Sequence, residues 1–357
     1  MAGYCINIAQ EKRKTAGVKA PDDITKICAN AGITEFAMPE LPKNHGKVFI
    51  RLWLLFFCTA YWRKLKRQAQ KGDFIIYQHP MYGIRIAEKE IPAIQKKGVY
   101  CIALIHDLET LRKGIASLSE YNQKRSEIGD MILLKHFDKV ICHNEKMRQY
   151  LCENGFREEQ LVSLGIFDYL TDYSPTERET GDKPSIAIAG NLHSGKSKYI
   201  YEIPDVNEDL TIHLYGVRYD ESLQKHGMIY HGAFPPDELP GHLTGDYGLV
   251  WDGDTTETCG GNTGEYLRYN DPHKTSLYLA AGMPVIVWKE AAIAEFVLEN
   301  QVGIVVENLR DLDKRLSEVT SEQYSEMQRN TIRISGKLRR GCYFLDAKDR
   351  CLSGKND

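Results

Sequence analysis

The 357-residue chain is too long for one typical compact domain and suits two. With 42% hydrophobic and 27% charged residues it has the composition of an ordinary globular protein, and a net charge of −3 excludes a general attraction to nucleic acid. Nine cysteines, an odd count without any C-x-x-C pair, argue against a disulfide framework and point to reduced thiols in the cytoplasm.

The N-terminus, MAGYCINIAQEKRKTAG, lacks the long apolar core of a signal peptide and reads as a strand, Tyr4 to Ile8, running into a polar loop. Residues 47–73, KVFIRLWLLFFCTAYWRKLKRQAQKGD, break the ordinary picture. Their apolar run, Leu52 to Ala60, is far short of the ~20 residues needed to span a bilayer. Phe56, Phe57, Tyr61 and Trp62 are followed by Arg63, Lys64, Lys66 and Arg67. Two readings of Leu52–Arg67 stay open. One is a buried helix with a solvated basic end; the other is peripheral contact with an anionic membrane, apolar residues inserted and basic ones on headgroups.

Further strands are expected at Phe74–Tyr77, Tyr100–Ile105 and Lys139–Cys142. EKEIPAIQKKG (88–98) and NEKMRQYLCENG (144–155) supply helices, the second ending at Gly155. Residues 169–185, YLTDYSPTERETGDKPS, read as a linker. The second half offers Ser185–Ala189, Thr211–Tyr215, Met228–Tyr230, Tyr247–Trp251, Pro284–Trp288 and Gly303–Val306. Short apolar strands alternating with helices imply parallel sheets covered on both faces. The fold class is α/β, two Rossmann-like domains facing each other across a cleft. The domains are 1–170 and 181–330, with a C-terminal helical segment, 331–357, packing back on the first.

In open parallel sheets ligands sit beyond the carboxyl ends of the strands. That rule selects Gly190 and Asn191, then Tyr215 and Gly216, then His231, then Asp252 in the second half. In the first half it selects His79, then His106 and Asp107, then His143 and Asn144.

Residues 190–197, GNLHSGKS, complete the phosphate-loop pattern with Gly190, Gly195, Lys196 and Ser197 in register. Such a loop needs a helix starting at its Lys-Ser, yet the next residues, KYIYEIPD (198–205), are rich in β-branched and aromatic residues and soon reach Pro204. A nucleotide hydrolase using Gly190–Ser197 is therefore the lesser alternative. Residues 265–288, EYLRYNDPHKTSLYLAAGMPVIVW, suit a phosphate better. A polar turn carrying Tyr269 and Asn270 leads to a helix opened by Asp271 or Pro272. Lys274 and Thr275 would stand with free amides at its positive end, where a diphosphate is favoured, and His273 and Lys274 would suit its release.

AGNL (189–192), YHGAFPPDELP (230–240), YGLVWDG (247–253) and, above all, YLRYNDPHKTSLYLAAGMPVI (266–286) resemble the GT-B glycosyltransferases. HDLETLR (106–112) and VICHNEKMRQYL (140–151) extend the resemblance into the first half, so that it covers most of the chain. More narrowly, the chain resembles the bacterial branch of β-1,6-galactofuranosyltransferases and of glucosyltransferases that extend O-linked GlcNAc on adhesins.

The resemblance implies the GT-B fold and a UDP-sugar donor, bound mainly by the second domain. The hexose, galactofuranose or glucose, would pass to a saccharide acceptor, lipid-linked or on a glycoprotein, bound by the first domain. It implies no cofactor beyond the donor, no metal and no nucleic-acid partner. Gly190 and Asn191 would face the donor diphosphate, making the G-K-S completion coincidental. The absence of a clear E-x(7)-E motif favours inversion. Asp252-Gly253-Asp254 resembles the D-x-D of the other major glycosyltransferase fold but reads here as a strand-end turn.

Transfer needs a base for the acceptor hydroxyl. Asp107 is the candidate, although an Asp there can equally cap the following helix. His79 and His106 are the acceptor-side alternatives. A non-catalytic nucleotide-sugar-binding protein and a homo-oligomer stay open, and the setting is the cytoplasm or the inner face of its membrane.

Overall fold

The computed structural model describes residues 1–8, 16–42, 44–112, 120–178 and 183–353. The polar loop after the first strand, residues 113–119, part of the linker stretch and the last residues of the chain lie outside them. The chain divides into two compact units. Met1–Arg13, Pro21–Leu164 and Leu345–Asp357 make the first, and Lys14–Ala20 with Gly165–Phe344 make the second.

The first unit is built on a six-stranded sheet of β1 (Gly3–Ile8), β2 (Thr34–Met38), β3 (Phe74–His79), β4 (Tyr100–Ile105), β5 (Lys139–Cys142) and β6 (Leu161–Ser163). The strands lie in the order β2-β1-β3-β4-β5-β6, and every pairing is parallel. β3 is buried along its whole length, which is why FIIYQH carries no polar alternation before its last two residues. β2 and β6 were not expected. β2 is an edge strand whose TEFAM exposes alternate residues, and β6 has only three residues.

The second sheet contains β7 (Ser185–Asn191), β8 (Thr211–Val217), β9 (Met228–Tyr230), β10 (Tyr247–Val250), β11 (Val285–Trp288) and β12 (Gly303–Val306). Its order, β12-β11-β10-β7-β8-β9, is also parallel throughout. The chain builds outward from β7 to β9, then restarts on the other side with β10. That reversal, between β7 and β10, is where an open α/β sheet leaves a crevice. Pairing between the two strands stops at Ala187 and Gly248, so beyond it the strands part.

The gap is bridged by one side chain. Tyr278, on the helix His273–Ala280, is fully buried and its hydroxyl accepts the Ala189 amide at 2.8 Å. Its ring fills the space above Gly248, where a Cβ would lie 2.1 Å from Tyr278 Cγ. At its other end the same helix is held by Ser335, whose hydroxyl donates to the Ala280 carbonyl at 2.9 Å from the long helix Ser321–Leu338.

The stretch Leu52–Arg67 is buried in its second part and exposed in its first. It forms a helix Lys47–Trp53, a π-helical turn Leu54–Cys58 and a helix Thr59–Gln68. Tyr61, Trp62 and Leu65 are core, whereas Leu52, Leu55, Phe56 and Phe57 are 50%, 55%, 67% and 53% exposed. Among the described residues no helix is long and apolar enough to cross a membrane. The cysteines are all free.

Gly248→Ala is expected to push the Tyr278 ring off Ala189 and shift the helix it carries. The overpacking should cost about 1–3 kcal/mol. A thermal melt reads the loss, and a melting temperature equal to that of the parent would show that the ring has room to move.

Candidate functional site

The crevice between β7 and β10 is a cavity of about 560 Å³ within the second unit. Ala189, Gly190 and Asn191 end β7 beneath it, and Tyr215, Gly216, Val217 and Arg218 bring in the end of β8. Val250, Trp251 and Asp252 close one side, and Pro272, His273 and Lys274 supply the start of a helix. Gly216 must be glycine: at φ +143° a Cβ would lie 1.8 Å from the Gly190 carbonyl oxygen. That close approach lets β7 and β8 stay paired to their last residues, Gly190 opposite Gly216 and Asn191 opposite Val217.

The charge in this cavity comes from the helix. Pro272, one of the two openers the sequence offers, caps it in extended conformation, and the Thr275 amide, expected to be free, instead turns back to the Pro272 carbonyl at 2.9 Å. The amides of His273 and Lys274 have no acceptor among the described residues. Lys274 leans over the end of β7, since a Cβ on Gly190 would lie 3.4 Å from Lys274 Cε and 3.9 Å from its Nζ. Among the described residues its ammonium has no carboxylate partner. Free amides and an ammonium converging on a glycine make a site for an anion.

The phosphate-loop alternative fails on the same criterion. The amides of Lys196 and Ser197 both donate to the His193 carbonyl at 2.9 Å, and the Gly195 amide donates to His193 Nδ1 at 3.1 Å. The Ser197 hydroxyl donates to the Asn191 carbonyl at 3.0 Å. The helix beyond the loop, Tyr199–Glu202, has only four residues. The loop's donors are spent on itself, and Lys196 does not line the cavity.

Gly190, Asn191, Tyr215, Gly216, Asp252, His273 and Lys274 thus come together as expected, but other residues of the expected set do not. His231 stays outside the cavity. It follows β9, an edge strand separated from the reversal point by β7 and β8, and stacks behind Tyr215 with ring centroids 4.7 Å apart and its Nε2 2.9 Å from His213 Nδ1. Tyr269 and Asn270 are also outside. Their amides donate to the Tyr266 carbonyl at 3.0 Å, so they close the preceding helical turn and only deliver the chain to Pro272.

His273 lines the cavity but is not a cation there. Burial pulls its pKa down to about 4, and its Nε2–H donates to the Asp168 carbonyl at 3.3 Å while the ring stacks on Tyr169. It is a neutral wall that orients the helix start.

Among the cavity residues missed in the sequence, three carry a charged or hydroxyl group. Lys19 arrives from far upstream, buried, its Nζ 2.5 Å from Asp237 and from the Leu170 carbonyl, and 4.7 Å above the Tyr169 ring. Tyr169 itself lay in the presumed linker, yet it is buried and its hydroxyl donates to the Pro236 carbonyl at 2.6 Å. Arg218 sits at φ +63°, a left-handed conformation that turns the chain out of β8, and is exposed without an ion pair among the described residues.

In the first unit the expected histidines do gather at the carboxyl edge of the sheet, with different fates. His79 ends β3, fully buried, its Nε2 2.8 Å from Asp130 Oδ1. Asp130 Oδ2 accepts the amide and hydroxyl of Thr110 at 2.7 and 2.8 Å. His106 follows β4, with its Nε2 2.8 Å from Gln78 Oε1. Asp107 stands next to it, a third exposed, its Oδ2 3.6 Å from Arg112 Nη1.

Comparison with known proteins adds the family. Residues 3–166 match the N-terminal domain of the glucosyltransferase 3-like family, and residues 186–350 match its C-terminal domain. A beta-1,6-galactofuranosyltransferase of Escherichia coli (strain K12) is 35% identical over 257 residues, covering 70% of this chain and 71% of the relative. Glucosyltransferase 3 of Streptococcus gordonii is 26% identical over 347 residues, 94% of each chain. Among solved structures, a lipopolysaccharide outer core galactosyltransferase in its apo form superposes with a TM-score of 0.62 at 10% identity over 99% of both chains. An Anabaena protein in complex with UDP superposes with a TM-score of 0.61 at 11% identity over the whole of both. These structures share the GT-B fold.

The buried histidines set a pH window. Burial holds His213, His273 and His143 near 4, against about 6.5 in an unfolded chain. Between those values the unfolded state binds more protons, so stability is full above about 6.5 and falls as the pH drops towards 4. Thermal melts from pH 7 to pH 5 should show a falling midpoint. A midpoint that stays level or rises would mean that these rings are protonated in the folded state.

Proposed function

This chain belongs to the glucosyltransferase 3-like family of GT-B glycosyltransferases, and on that premise we propose that it moves galactofuranose or glucose from a UDP-sugar to a saccharide acceptor in cell-surface glycan synthesis. One observation carries the donor half: the helix start and the Lys274 ammonium converge on Gly190 beside a largely apolar cavity. The anionic diphosphate belongs at that helix end, and the flat base belongs against walls such as Phe234 and Leu239. Arg218 at the mouth adds a second cation. The names of the relatives in Escherichia coli and Streptococcus gordonii support the two candidate sugars.

In the proposed reaction the acceptor hydroxyl attacks the anomeric carbon, the bond to the diphosphate oxygen breaks, and the hydroxyl proton passes to a base. A single displacement inverts the anomeric centre. Charge grows on the departing diphosphate, where Lys274 and the free amides stabilise it, so the reading needs neither a metal nor a further cofactor. Asp107 is the proposed base, with His79 and His106 on the acceptor side; Arg112 beside Asp107 holds the carboxylate in place.

Lys274→Ala should weaken UDP binding by about 1.5–3 kcal/mol, the value of a charge-assisted contact. Calorimetric titration with UDP measures it, and unchanged affinity in a folded variant would remove Lys274 from the site.

Asp107→Asn should lower turnover about 100-fold while UDP affinity stays close to normal. Asn caps a helix about as well as Asp, so the fold should survive. Near-normal turnover would pass the role of base to another group. Repeating the parent assay with a chelator tests the metal-free part, since activity lost to EDTA and restored by manganese would make ligands of Asp252 and Asp254.

A further inference from the structure

The exposed half of the Lys47–Gln68 segment borders a groove of about 840 Å³ on the first unit. Leu54 and Leu55 of the π-helical turn line one side, and Ile84 and Ile128 line the other. Ile128 opens a second π-helical stretch, Ile128–Leu133. Such turns widen a helix locally and frequently mark functional sites.

The polar residues of the groove are all of one sign. Lys47, Arg51, Arg85, Lys124 and Arg125 line it; among the described residues no acidic side chain does, and Lys47, Arg51, Arg85 and Arg125 have no ion pair. In a chain of net charge −3 this grouping is local. Apolar walls under a basic rim call for an amphiphile with an anionic head.

The groove also leads somewhere. Tyr82, Ile84 and Arg125 line both it and a second cavity of about 330 Å³, which holds His79 and Asp130 at the reversal point of the first sheet, between β1 and β3. His79 Nδ1 is buried there without a partner while the ring's other nitrogen is engaged by the Asp130 carboxylate. That leaves a polar atom to hydrogen-bond a hydroxyl.

We propose that this groove takes the phosphate-bearing lipid of a lipid-linked saccharide acceptor. The hydrocarbon chain lies along Leu54, Leu55 and Ile128, the phosphate meets Arg51, Arg85 and Arg125, and the first sugar enters the cavity of His79. The assignment of the occupant as the acceptor rests on the glycosyltransferase reading; the affinity of the groove for a lipid phosphate does not.

The test is calorimetric titration with farnesyl diphosphate below its micelle concentration, in the presence of saturating UDP to occupy the other anion site. Inorganic diphosphate and farnesol serve as the charge-only and chain-only probes. Farnesyl diphosphate should bind at least about tenfold more tightly than either, and Arg51→Ser combined with Arg85→Ser should weaken it about tenfold or more. UDP affinity should be unchanged in that variant, which shows that it is folded. Inorganic diphosphate or farnesol binding as well as the diphosphate ester would overturn the proposal, as would indifference to the double substitution. Binding only to vesicles of anionic phospholipid would make the face a membrane-surface contact and also overturn it. Loss of UDP binding by the parent protein would count against the donor reading and leave the groove result standing on its own.

Discussion

The contact between Tyr278 and the Ala189 amide is what the donor-side cavity depends on. Where β7 and β10 part, a buried backbone donor would be left without a partner, a loss of about 1–3 kcal/mol. The tyrosine satisfies it and in doing so fixes the height of its helix over the sheet. Gly248 makes the room, Ser335 ties the far end, and Pro272 sets where the helix begins. Lys274 therefore stands over Gly190 as a consequence of packing several residues away. The same arrangement explains why the cavity can be largely apolar and still hold an anion: free amides and an ammonium are delivered together at one end, by a helix.

Much of this was legible in the sequence because strands buried on both faces leave a plain signature. β3, β4, β7 and β11 read as short unbroken apolar runs, and the helix at His273 announced itself through Pro272. Edge strands leave no such trace. β2 alternates and carries Glu35, and β6 is too short to show a period. Strand-end reasoning picked out cavity residues at β7 and β10, which flank the reversal point, and at β8 beside β7, but not at β9, which lies beyond β8 at the edge. Position within the sheet decides whether a strand-end residue meets the ligand, and strand order is not written in local pattern. Lys19 and Tyr169 were illegible for another reason. Each is placed by contacts distant in sequence, the ion pair to Asp237 and the bond to the Pro236 carbonyl, and neither has a motif of its own.

The phosphate-loop pattern shows how little a motif means without the geometry that gives it force. Its residues are present in order, but the amides that would surround a phosphate are folded back on His193. Conversely, the basic residues of the groove form no motif at all: Lys47 and Arg51 share one helix, Arg85 and Arg125 come from elsewhere in the chain, and they become one surface only in the fold. Overall charge is blind to both, since a chain slightly negative in sum can still carry strong local fields.

The division of the chain has a consequence for its synthesis. The first unit is interrupted by the whole of the second and is completed only by Leu345 and the residues after it. Ala347 and Cys351 from that last segment are fully buried, and Arg350 donates to the Ser163 carbonyl at 2.6 Å. While a ribosome is still making the second unit, the first sheet stands with that apolar patch uncovered. The N-terminal half therefore cannot mature ahead of the rest, as a domain emerging first usually does. It must wait for Leu345 and the residues after it to leave the exit tunnel, and a chain cut before Leu345 would lack the segment that covers that patch.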